Sequence, residues 1–307
     1  MDIVRATETT IRPLVAADLE AVVKIDRERS GRARTKFYAR RFQALARNLR
    51  WGVAVAAERD ARVVAFAFAH VLDGEFGGAA PAGVLDAIGV AAEVEREGVA
   101  TALLAGVEAA LARCGAGTLR TQADWTEHGM VAFFAASGFR LSPRVMLERA
   151  LERSISEDVE AEEVPVRSMS ERDLAAIIRI DRKITGRDRT AYLTRKTAEV
   201  LNESSIRMSL VAERDGRPIG FVMARADLGE FGRTEPTAVL DTIGVDPDYA
   251  RRGVGRALVE QLLSNLASLR AERVVTEVGW NDLPLLGFLA RTGFAHAQRI
   301  AFDKDIA

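Results

Sequence analysis

A short stretch of arginines and glycines carries the clearest chemical signal in the sequence. It reads Arg251-Arg252-Gly253-Val254-Gly255-Arg256 and follows a run of β-branched residues. Glycine allows a tight turn and a close approach of the backbone to a ligand. The amides at a helix N-terminus have no partner inside the helix and attract anions, and arginine adds bidentate contacts to phosphate. The stretch predicts either a phosphate-binding turn or a plain strand-to-helix connection that carries surface arginines.

The sequence contains one pattern twice, at an offset of 155 residues, which is the separation of Val84 and Val239. The closest pair of segments is VLDAIGV at 84–90 and VLDTIGV at 239–245. Such a long period indicates a duplicated domain, because solenoid repeats have periods of roughly 20–50 residues. The 307 residues suffice for two domains, each with its own core. We expect a first domain at 1–150, an acidic linker at 154–163 and a second domain at 164–307.

Each half is predicted to follow the same order of strands and helices. In the second half the predicted elements are a strand at Val164–Arg167, a helix after a capping box of Ser170 and Asp173, a helix at Thr190–Val200, strands at Met208–Glu213, Pro218–Ala226 and Ala238–Val245, a helix from Gly253 with Leu258, Leu262, Leu266 and Leu269 on one face, a strand at Arg273–Val278, a helix at Leu283–Arg291 and a closing strand at Phe294–Asp303. This order predicts an α/β (α+β) fold in which a mixed central sheet is flanked by helices.

On these motifs the second half resembles the GCN5-related N-acetyltransferase (GNAT) family, whose pyrophosphate loop reads Gln/Arg-x-x-Gly-x-Gly/Ala. The matching segment is 250–255, preceded by Ile243-Gly244-Val245-Asp246-Pro247, and the resemblance covers essentially residues 164–307. It implies acetyl-CoA as co-substrate. The residues implied to contact its pyrophosphate, through their amides, are Arg251, Arg252, Gly253, Val254, Gly255 and Arg256.

The resemblance also implies contacts with the rest of the cofactor. In the family the strand before the loop splays away from the next strand and holds the pantetheine arm, a role that falls to the backbones of Ile243 and Val245. Asn281 is the implied match to a cofactor-contacting asparagine. The alternative for Asn281 is the N-cap of a helix.

The second half departs from the family pattern at two positions. Ala250 stands where the family has Gln or Arg, three residues before the first glycine. Leu289 stands where the family often has a tyrosine that protonates the departing CoA thiolate, and Phe134 takes that position in the first half. Water or another group must then supply the proton, or the thiolate leaves unprotonated.

The loop of the first half carries a different charge. It reads Glu95-Arg96-Glu97-Gly98-Val99-Ala100-Thr101, so two carboxylates replace Ala250 and Arg252. Like charges near a phosphate repel. The first domain is therefore predicted to be degenerate for CoA, and the second to be the acetyl-CoA-binding one.

Three carboxylates of the second half are candidates for accepting the proton of an attacking amine. Asp241 lies two residues before Ile243, so its side chain is predicted on the same face of the strand as those of Ile243 and Val245. Since Asp86 repeats it, a structural anchor is the alternative. Glu230, repeated by Glu75, is the second candidate, and Glu277 is the only one without a counterpart carboxylate.

The segment between the first two helices of the second half is a candidate acceptor site. The family resemblance places the acceptor there, and Arg187 and Arg189 could hold a carboxylate or phosphate of the substrate. The alternative is that Gly186 ends a helix and the arginines are solvated. The first half repeats the pair as Arg32 and Arg34.

The bulk composition narrows the class of protein. Net charge is −1, from 43 basic and 44 acidic residues, which favours neither a nucleic-acid nor a membrane partner. The three histidines show no metal-ligand spacing, Cys114 is a single thiol, and no apolar run would span a membrane. We therefore expect a cytoplasmic protein without a metal.

The function predicted is an acyl-CoA-dependent N-acetyltransferase that moves an acetyl group from acetyl-CoA to an amine of a small molecule or protein. The alternatives are a non-catalytic acyl-CoA-binding or regulatory tandem module and a scaffold in which both loops are relics. The two domains are expected to pack together as an intramolecular pseudo-dimer.

Overall fold

The computed structural model describes residues 9–31, 33–47, 52–72, 80–151, 164–202, 208–227 and 237–306. Its strands are β1 (Thr10–Pro13), β2 (Gly52–Arg59), β3 (Arg62–Leu72), β4 (Ala82–Val90), β5 (Thr118–Asp124), β6 (Arg140–Leu141), β7 (Arg144–Ala150), β8 (Val166–Ser168), β9 (Leu210–Arg214), β10 (Arg217–Asp227), β11 (Thr237–Val245), β12 (Arg273–Gly279), β13 (Ala295–His296) and β14 (Arg299–Asp305). Its helices are α1 (Leu19–Ser30), α2 (Thr35–Arg47), α3 (Val99–Arg113), α4 (His128–Ala136), α5 (Leu174–Thr185), α6 (Thr190–Asn202), α7 (Val254–Ser268) and α8 (Leu283–Arg291).

The strands form two mixed seven-stranded sheets, in the orders β1-β2-β3-β4-β5-β14-β6 and β13-β7-β12-β11-β10-β9-β8. The long closing strand of each half therefore lies in the sheet of the other half. β14 pairs antiparallel with β5 along Thr118–Asp124, and β7 pairs antiparallel with β12 along Arg273–Gly279. The two halves are consequently joined by backbone hydrogen bonds, and each sheet contains one long strand from the other half.

The closing strand predicted at Phe294–Asp303 is wrong in detail, because the chain changes sheets within it. β13 stays beside β7 in the second sheet, where the amide of Ala297 donates to Met146 O at 2.9 Å. The next residue already contacts the first sheet, since Gln298 O accepts from the amide of Trp125 at 3.3 Å. The predicted strand is therefore two strands with a crossing at residues 297–298.

The amphipathic helices explain why the two faces of each sheet are covered. In the second half, Leu258, Leu262 and Leu266 of α7 are buried against one face, and α5 and α6 pack on the other around Ile177, Ile180 and Leu193. Leu269, predicted on the same face as the other leucines, is instead 42% exposed because the helix ends at Ser268.

Two local features that were predicted from a few adjacent residues, the capping box and the hairpin turn, are confirmed. The amide of Ser170 donates to Asp173 Oδ2 at 2.8 Å, as the capping box predicts, although the box opens a short 3-10 turn at Glu171–Asp173 that leads into α5. Asp215 and Gly216, at the predicted hairpin turn between β9 and β10, both have positive φ angles of 50° and 72°.

Strand separation beside the loop is the feature of the fold that shapes the site. β11 and β12 pair in parallel only at Thr237–Val239, although β11 continues to Val245. Beyond that point the hydroxyl of Thr276 donates to Leu240 O at 2.9 Å, and the ladder ends. In the first half β4 and β5 likewise pair only at Gly83 and Val84. A gap between the two central strands thus opens at the end where the loop begins.

Candidate active site

The loop at 251–256 has the geometry of a ready anion site. Helix α7 begins at Val254, directly after Gly253 at φ 82°, and Arg251 is also left-handed at φ 61°. The first hydrogen bond of the helix runs from the amide of Ala257 to Gly253 O at 2.9 Å. The amides of residues 254–256 therefore have no acceptor within the helix and point their partial positive charge outward.

The two glycines of the loop are required for different reasons. A Cβ at Gly253 would meet no heavy atom within 4 Å, so the requirement there is the positive φ and not space. A Cβ at Gly255 would lie 3.2 Å from Cε2 of Phe288, so this glycine allows the first turn of α7 to pack on α8.

Three exposed arginines surround these amides, and they differ in how they are held. The guanidinium of Arg256 contacts Glu260 Oε1 at 2.6 Å, a bond that raises the pKa of Arg256 further. The guanidinium of Arg252 lies 5.6 Å from the ring centre of Tyr249. No ion pair joins Arg251 to any residue in the described part of the chain. Positive charge is thus concentrated where the helix presents its free amides.

The loop of the first half has the same backbone and a different set of charges. Arg96 and Gly98 repeat the positive φ angles, at 62° and 81°, and the amide of Ala102 donates to Gly98 O at 3.0 Å. Its two carboxylates are paired, Glu95 with Arg29 and Glu97 with Arg59. The acidic residues are therefore neutralised locally, and in turn they hold the two arginines that could otherwise approach a phosphate.

Asp241 is buried at the β-bulge of β11, and its side chain points to the face of the sheet that α6 covers, opposite α7. The register skips it, because Thr242 lies opposite Met223 and Leu240 opposite Ala224. Its carboxylate lies 2.9 Å from Lys196 Nζ of α6 and 3.4 Å from Arg225 Nε of β10.

The prediction that Asp241 shares a face with Ile243 and Val245 is therefore wrong. Ile243 and Val245 pack with the core that α7 covers, whereas Lys196 belongs to a helix on the opposite face. The physical reason is the bulge, since one extra residue in a strand shifts the alternation of side chains that follow it.

Asp86 occupies the same bulge in the first half, where its surroundings differ. Oδ2 of Asp86 accepts from Arg41 Nη1 at 2.8 Å and lies 2.7 Å from His70 Nδ1. A cleft opens between the separated strands here, with an empty volume of about 550 Å³ that includes its open mouth. Its wall includes Arg34, Tyr38, Asp86, Ile88, Gln122 and Phe134.

The remaining candidates of the second half lie around the equivalent gap. Ile243 and Val245 follow Val239, the last residue of β11 that pairs with β12, and both are partly buried. Asn281 is exposed beside the start of α8. The N-cap of α8 is Asp282, whose Oδ1 accepts from the amide of Leu285 at 3.1 Å, so the capping alternative for Asn281 is wrong. Leu289 is fully buried and has no proton to donate.

Comparison with known proteins decides the family. The sequence profile of the Acetyltransferase (GNAT) family matches this chain twice, at residues 19–139 and 174–294. The chain belongs to the GNAT family. Both matched ranges end before the exchanged closing strands β7 and β14.

Solved structures show the same fold at low sequence identity. A tandem GNAT protein from the clavulanic acid biosynthesis pathway is 16% identical, with a TM-score of 0.66, over 98% of this chain and 99% of that one. A GCN5-related N-acetyltransferase from Sphaerobacter thermophilus is 16% identical, with a TM-score of 0.62, over 97% of this chain and 96% of that one. A glucosamine N-acetyltransferase region of a fungal multi-domain GH3 β-N-acetylglucosaminidase is 15% identical, with a TM-score of 0.66. That match covers 99% of this chain and 39% of the fungal one.

The candidate acceptor region between α5 and α6 of this GNAT protein is held more tightly than its sequence suggests. Gly186 ends α5 at φ 68°, with its amide donating to Arg182 O at 2.9 Å, as predicted. Arg189 is not solvated, because its Nη1 lies 2.6 Å from Oδ1 of the buried Asp181. Burial raises the pKa of Asp181, and Arg189 opposes that rise. Arg187 is exposed.

Several candidates lie outside the described residues. They are Glu230, its counterpart Glu75, Arg32 and the predicted linker at 154–163. None of the helices in the described ranges combines the length and the apolar character that a membrane span requires.

Among the contacts of the candidates that sequence reasoning missed, those of Lys196 and Arg144 come from distant parts of the chain. Lys196 forms the ion pair with Asp241 from a helix 45 residues away in sequence, the separation of 196 and 241. Arg144 reaches Glu277 from the other half of the chain. A lysine on the apolar face of an amphipathic helix was the only local signal for the first, and no local signal existed for the second.

Proposed function

We propose that this GNAT protein is an N-acetyltransferase that moves an acetyl group from acetyl-CoA to a primary amine, and that its second half binds the acetyl-CoA. The observation that carries the proposal is the free first turn of α7, capped by left-handed Gly253 and surrounded by Arg251, Arg252 and Arg256. This turn opens beside the gap between β11 and β12, where a pantetheine arm could bond to the backbone of Ile243 and Val245.

The first half is proposed to be weak or inactive for CoA because of its ion pairs. Phosphate binding there would compete with Glu95 for Arg29 and with Glu97 for Arg59. In the second half the corresponding positions, Ala250 and Arg252, offer no carboxylate to compete. The difference therefore lies in side-chain charge, since the backbone of the two loops is alike.

The attacking amine must lose a proton, and Asp241 and Glu230 are the proposed acceptors. The close cations Lys196 and Arg225 favour the structural role for Asp241, because its carboxylate is already paired with both of them in a buried cluster. Glu230 is then the preferred candidate for the proton acceptor. A carboxylate in this role would take the proton directly or through one water.

The departing CoA thiolate has no side-chain acid at the usual place. Leu289 belongs to the core packed on α7. A thiol of ordinary pKa, about 8.5, is a fair leaving group near neutral pH, so transfer can proceed with water as the eventual proton source.

The alternative function is a non-catalytic acyl-CoA-binding or regulatory module, and the absence of an acid at Leu289 is the observation that favours it. The two functions differ in turnover and not in binding. The acceptor class, a small molecule or a protein, is left open in both.

The test combines binding with turnover. Isothermal titration with acetyl-CoA should give about one site per chain, and release of free CoA should be measured with ethanolamine, 1,4-diaminobutane, L-lysine and a lysine-containing peptide. Binding with turnover on at least one amine supports the acetyltransferase. Binding without turnover on any of them favours the regulatory module, and absence of binding refutes the proposal.

A further inference from the structure

Strand β7 of the first half carries an arginine into the sheet of the second half, where Arg144 lies opposite Gly279 at the end of β12. Arg144 is only 13% exposed, and its guanidinium is paired with two carboxylates, Glu277 of β12 and Asp303 of β14. The hydroxyl of Ser142 donates to the other oxygen of Asp303 at 3.1 Å. These contacts join β7 of the first half to β12 and β14 of the second half.

In the first half the position that corresponds to Glu277 carries no charge. Arg299, on β14, is the counterpart of Arg144, and its Nε donates to Gln122 Oε1 at 2.8 Å. Gln122 is the counterpart of Glu277 and lines the cleft between β4 and β5. The common backbone therefore places Glu277 at the wall of the corresponding gap in the second half.

The two clusters differ in the charge of the residue at the wall. In the second half the guanidinium of Arg144 contacts two carboxylates, Glu277 and Asp303. In the first half Arg299 donates to the neutral Gln122. A carboxylate in place of a carboxamide at a partly exposed wall favours the binding of a cation.

We propose that Glu277 binds the ammonium group of the incoming amine and that Arg144 positions the Glu277 carboxylate for this contact. The inference rests on the proposed function, because it assigns the amine subsite of the same reaction. The site for the amine is then composite: its carboxylate comes from the second half, and the arginine that orients it comes from the first. Glu277 is 31% exposed, so an amine can reach it from solvent.

This arrangement gives a role to a half that is proposed to bind no CoA. The first half supplies the strand that completes the second sheet and the guanidinium that fixes one oxygen of Glu277. No residue in the described ranges pairs with the second oxygen, which can accept a hydrogen bond from an ammonium group. Charge-assisted bonds of this kind are the stronger ones, and their loss is measurable in affinity.

The decisive variant is Glu277→Gln, because it creates a pair of side chains that the first half already contains. An Arg–Gln pair occupies the same place in the first half, so this substitution should fold. Affinity for 1,4-diaminobutane, titrated in the presence of saturating CoA, should fall about tenfold. In turnover, KM for the amine should rise similarly while kcat and the affinity for acetyl-CoA change little.

Arg144 is tested through Glu277. Arg144→Met should weaken 1,4-diaminobutane binding, Arg144→Lys should restore part of it, and the double variant Arg144→Met/Glu277→Gln should be no weaker than Glu277→Gln alone. Arg299→Met is the matched control and should leave amine affinity unchanged. Thermal unfolding of each variant separates loss of fold from loss of the subsite.

The proposal fails if wild-type protein shows no measurable affinity for 1,4-diaminobutane, or if Glu277→Gln binds it as wild type does. Additive effects of Arg144→Met and Glu277→Gln would overturn the positioning role. These outcomes are separate from failure of the proposed function, which the titration with acetyl-CoA alone decides.

Discussion

The two halves of this chain have nearly the same backbone around the loop and different charges on it. The left-handed residues Arg96 and Gly98 match Arg251 and Gly253 within a few degrees of φ. Around that shared turn the first half has Glu95 and Glu97 held by arginines, and the second has arginines beside free amides. The comparison shows that one loop backbone carries two different sets of side-chain charges, and the proposed difference in CoA binding rests on those charges alone.

Replacing Gly253 should give the largest contrast between the halves. Gly253→Val places a β-branched residue at φ 82°, which it adopts only at a cost of about 1–3 kcal/mol, so the first turn of α7 should shift. Acetyl-CoA affinity should fall about 100-fold or more in isothermal titration. Gly98→Val is the control at the same φ, and it should leave acetyl-CoA affinity unchanged. Equal acetyl-CoA affinity in Gly253→Val and wild type would remove the loop assignment.

The buried aspartates at the two bulges should differ in what their loss costs. Asp241→Asn removes the ion pairs with Lys196 and Arg225, and breaking such a buried pair costs about 3 kcal/mol. Asp86→Asn should cost less, because Asp86 forms an ion pair with one guanidinium, that of Arg41, whereas Asp241 forms ion pairs with both Lys196 and Arg225. Urea unfolding measures both.

A second readout distinguishes an anchor from a base. If Asp241→Asn keeps the stability of the wild type and turnover falls about 100-fold, Asp241 is the proton acceptor and the structural role is refuted. If stability falls and Glu230→Gln lowers turnover, Glu230 has that role.

The elements that sequence predicted well are those whose signals are local. Helix α8 begins and ends as predicted at Leu283 and Arg291, and the Ser170 capping box forms. The exchange of β7 and β14 was not predictable in this way. Each of these two strands forms an antiparallel ladder in the sheet that it joins. The alternation of apolar residues would be the same in either sheet, so it does not indicate which sheet the strand joins.

The site could be predicted only in the part that one segment builds. Residues 251–256 carry the glycines, the arginines and the helix start together, so the loop was visible in the sequence. The direction of Asp241 depends on a bulge, and its partner Lys196 comes from another helix. A bulge in a strand of mixed apolar residues has no reliable sequence signal. A long-range ion pair has no local sequence signal at all.

Exchanging the charges of the loops should sharpen the comparison with a smaller effect. The double variant Glu95→Ala/Glu97→Arg gives the first loop the residues found at positions 250 and 252. It also frees Arg29 and Arg59 from their ion pairs. We expect a second acetyl-CoA site, about tenfold weaker than the first, seen as a stoichiometry that rises from about one to about two. Two equal sites in the wild type would show that the carboxylates do not matter.

The smallest expected effect is the response of the two capping carboxylates to acid. Hydrogen bonds from Arg12 lower the pKa of Asp18, although burial opposes them. For Asp173 burial is the largest influence and raises the pKa, but bonds from Arg167 and Ser170 outweigh it, so the net shift is downward. A carboxylate whose pKa is lowered by folding stabilises the protein above its ordinary value of 3.8 and loses that contribution as pH falls through the lowered value.

Asp173→Asn should therefore cost about 1 kcal/mol of unfolding free energy at pH 7 and progressively less below pH ~4, measured by urea unfolding across that range. Asp18→Asn should behave alike but with a smaller cost, because Ser170 adds a hydroxyl bond to Asp173 at 2.9 Å where Val15 adds none. Ser170→Val is the matched change that makes the second half like the first, and it should bring the two costs together. A cost for Asp173→Asn that stays constant down to pH 3 would show that its ionisation does not contribute to stability.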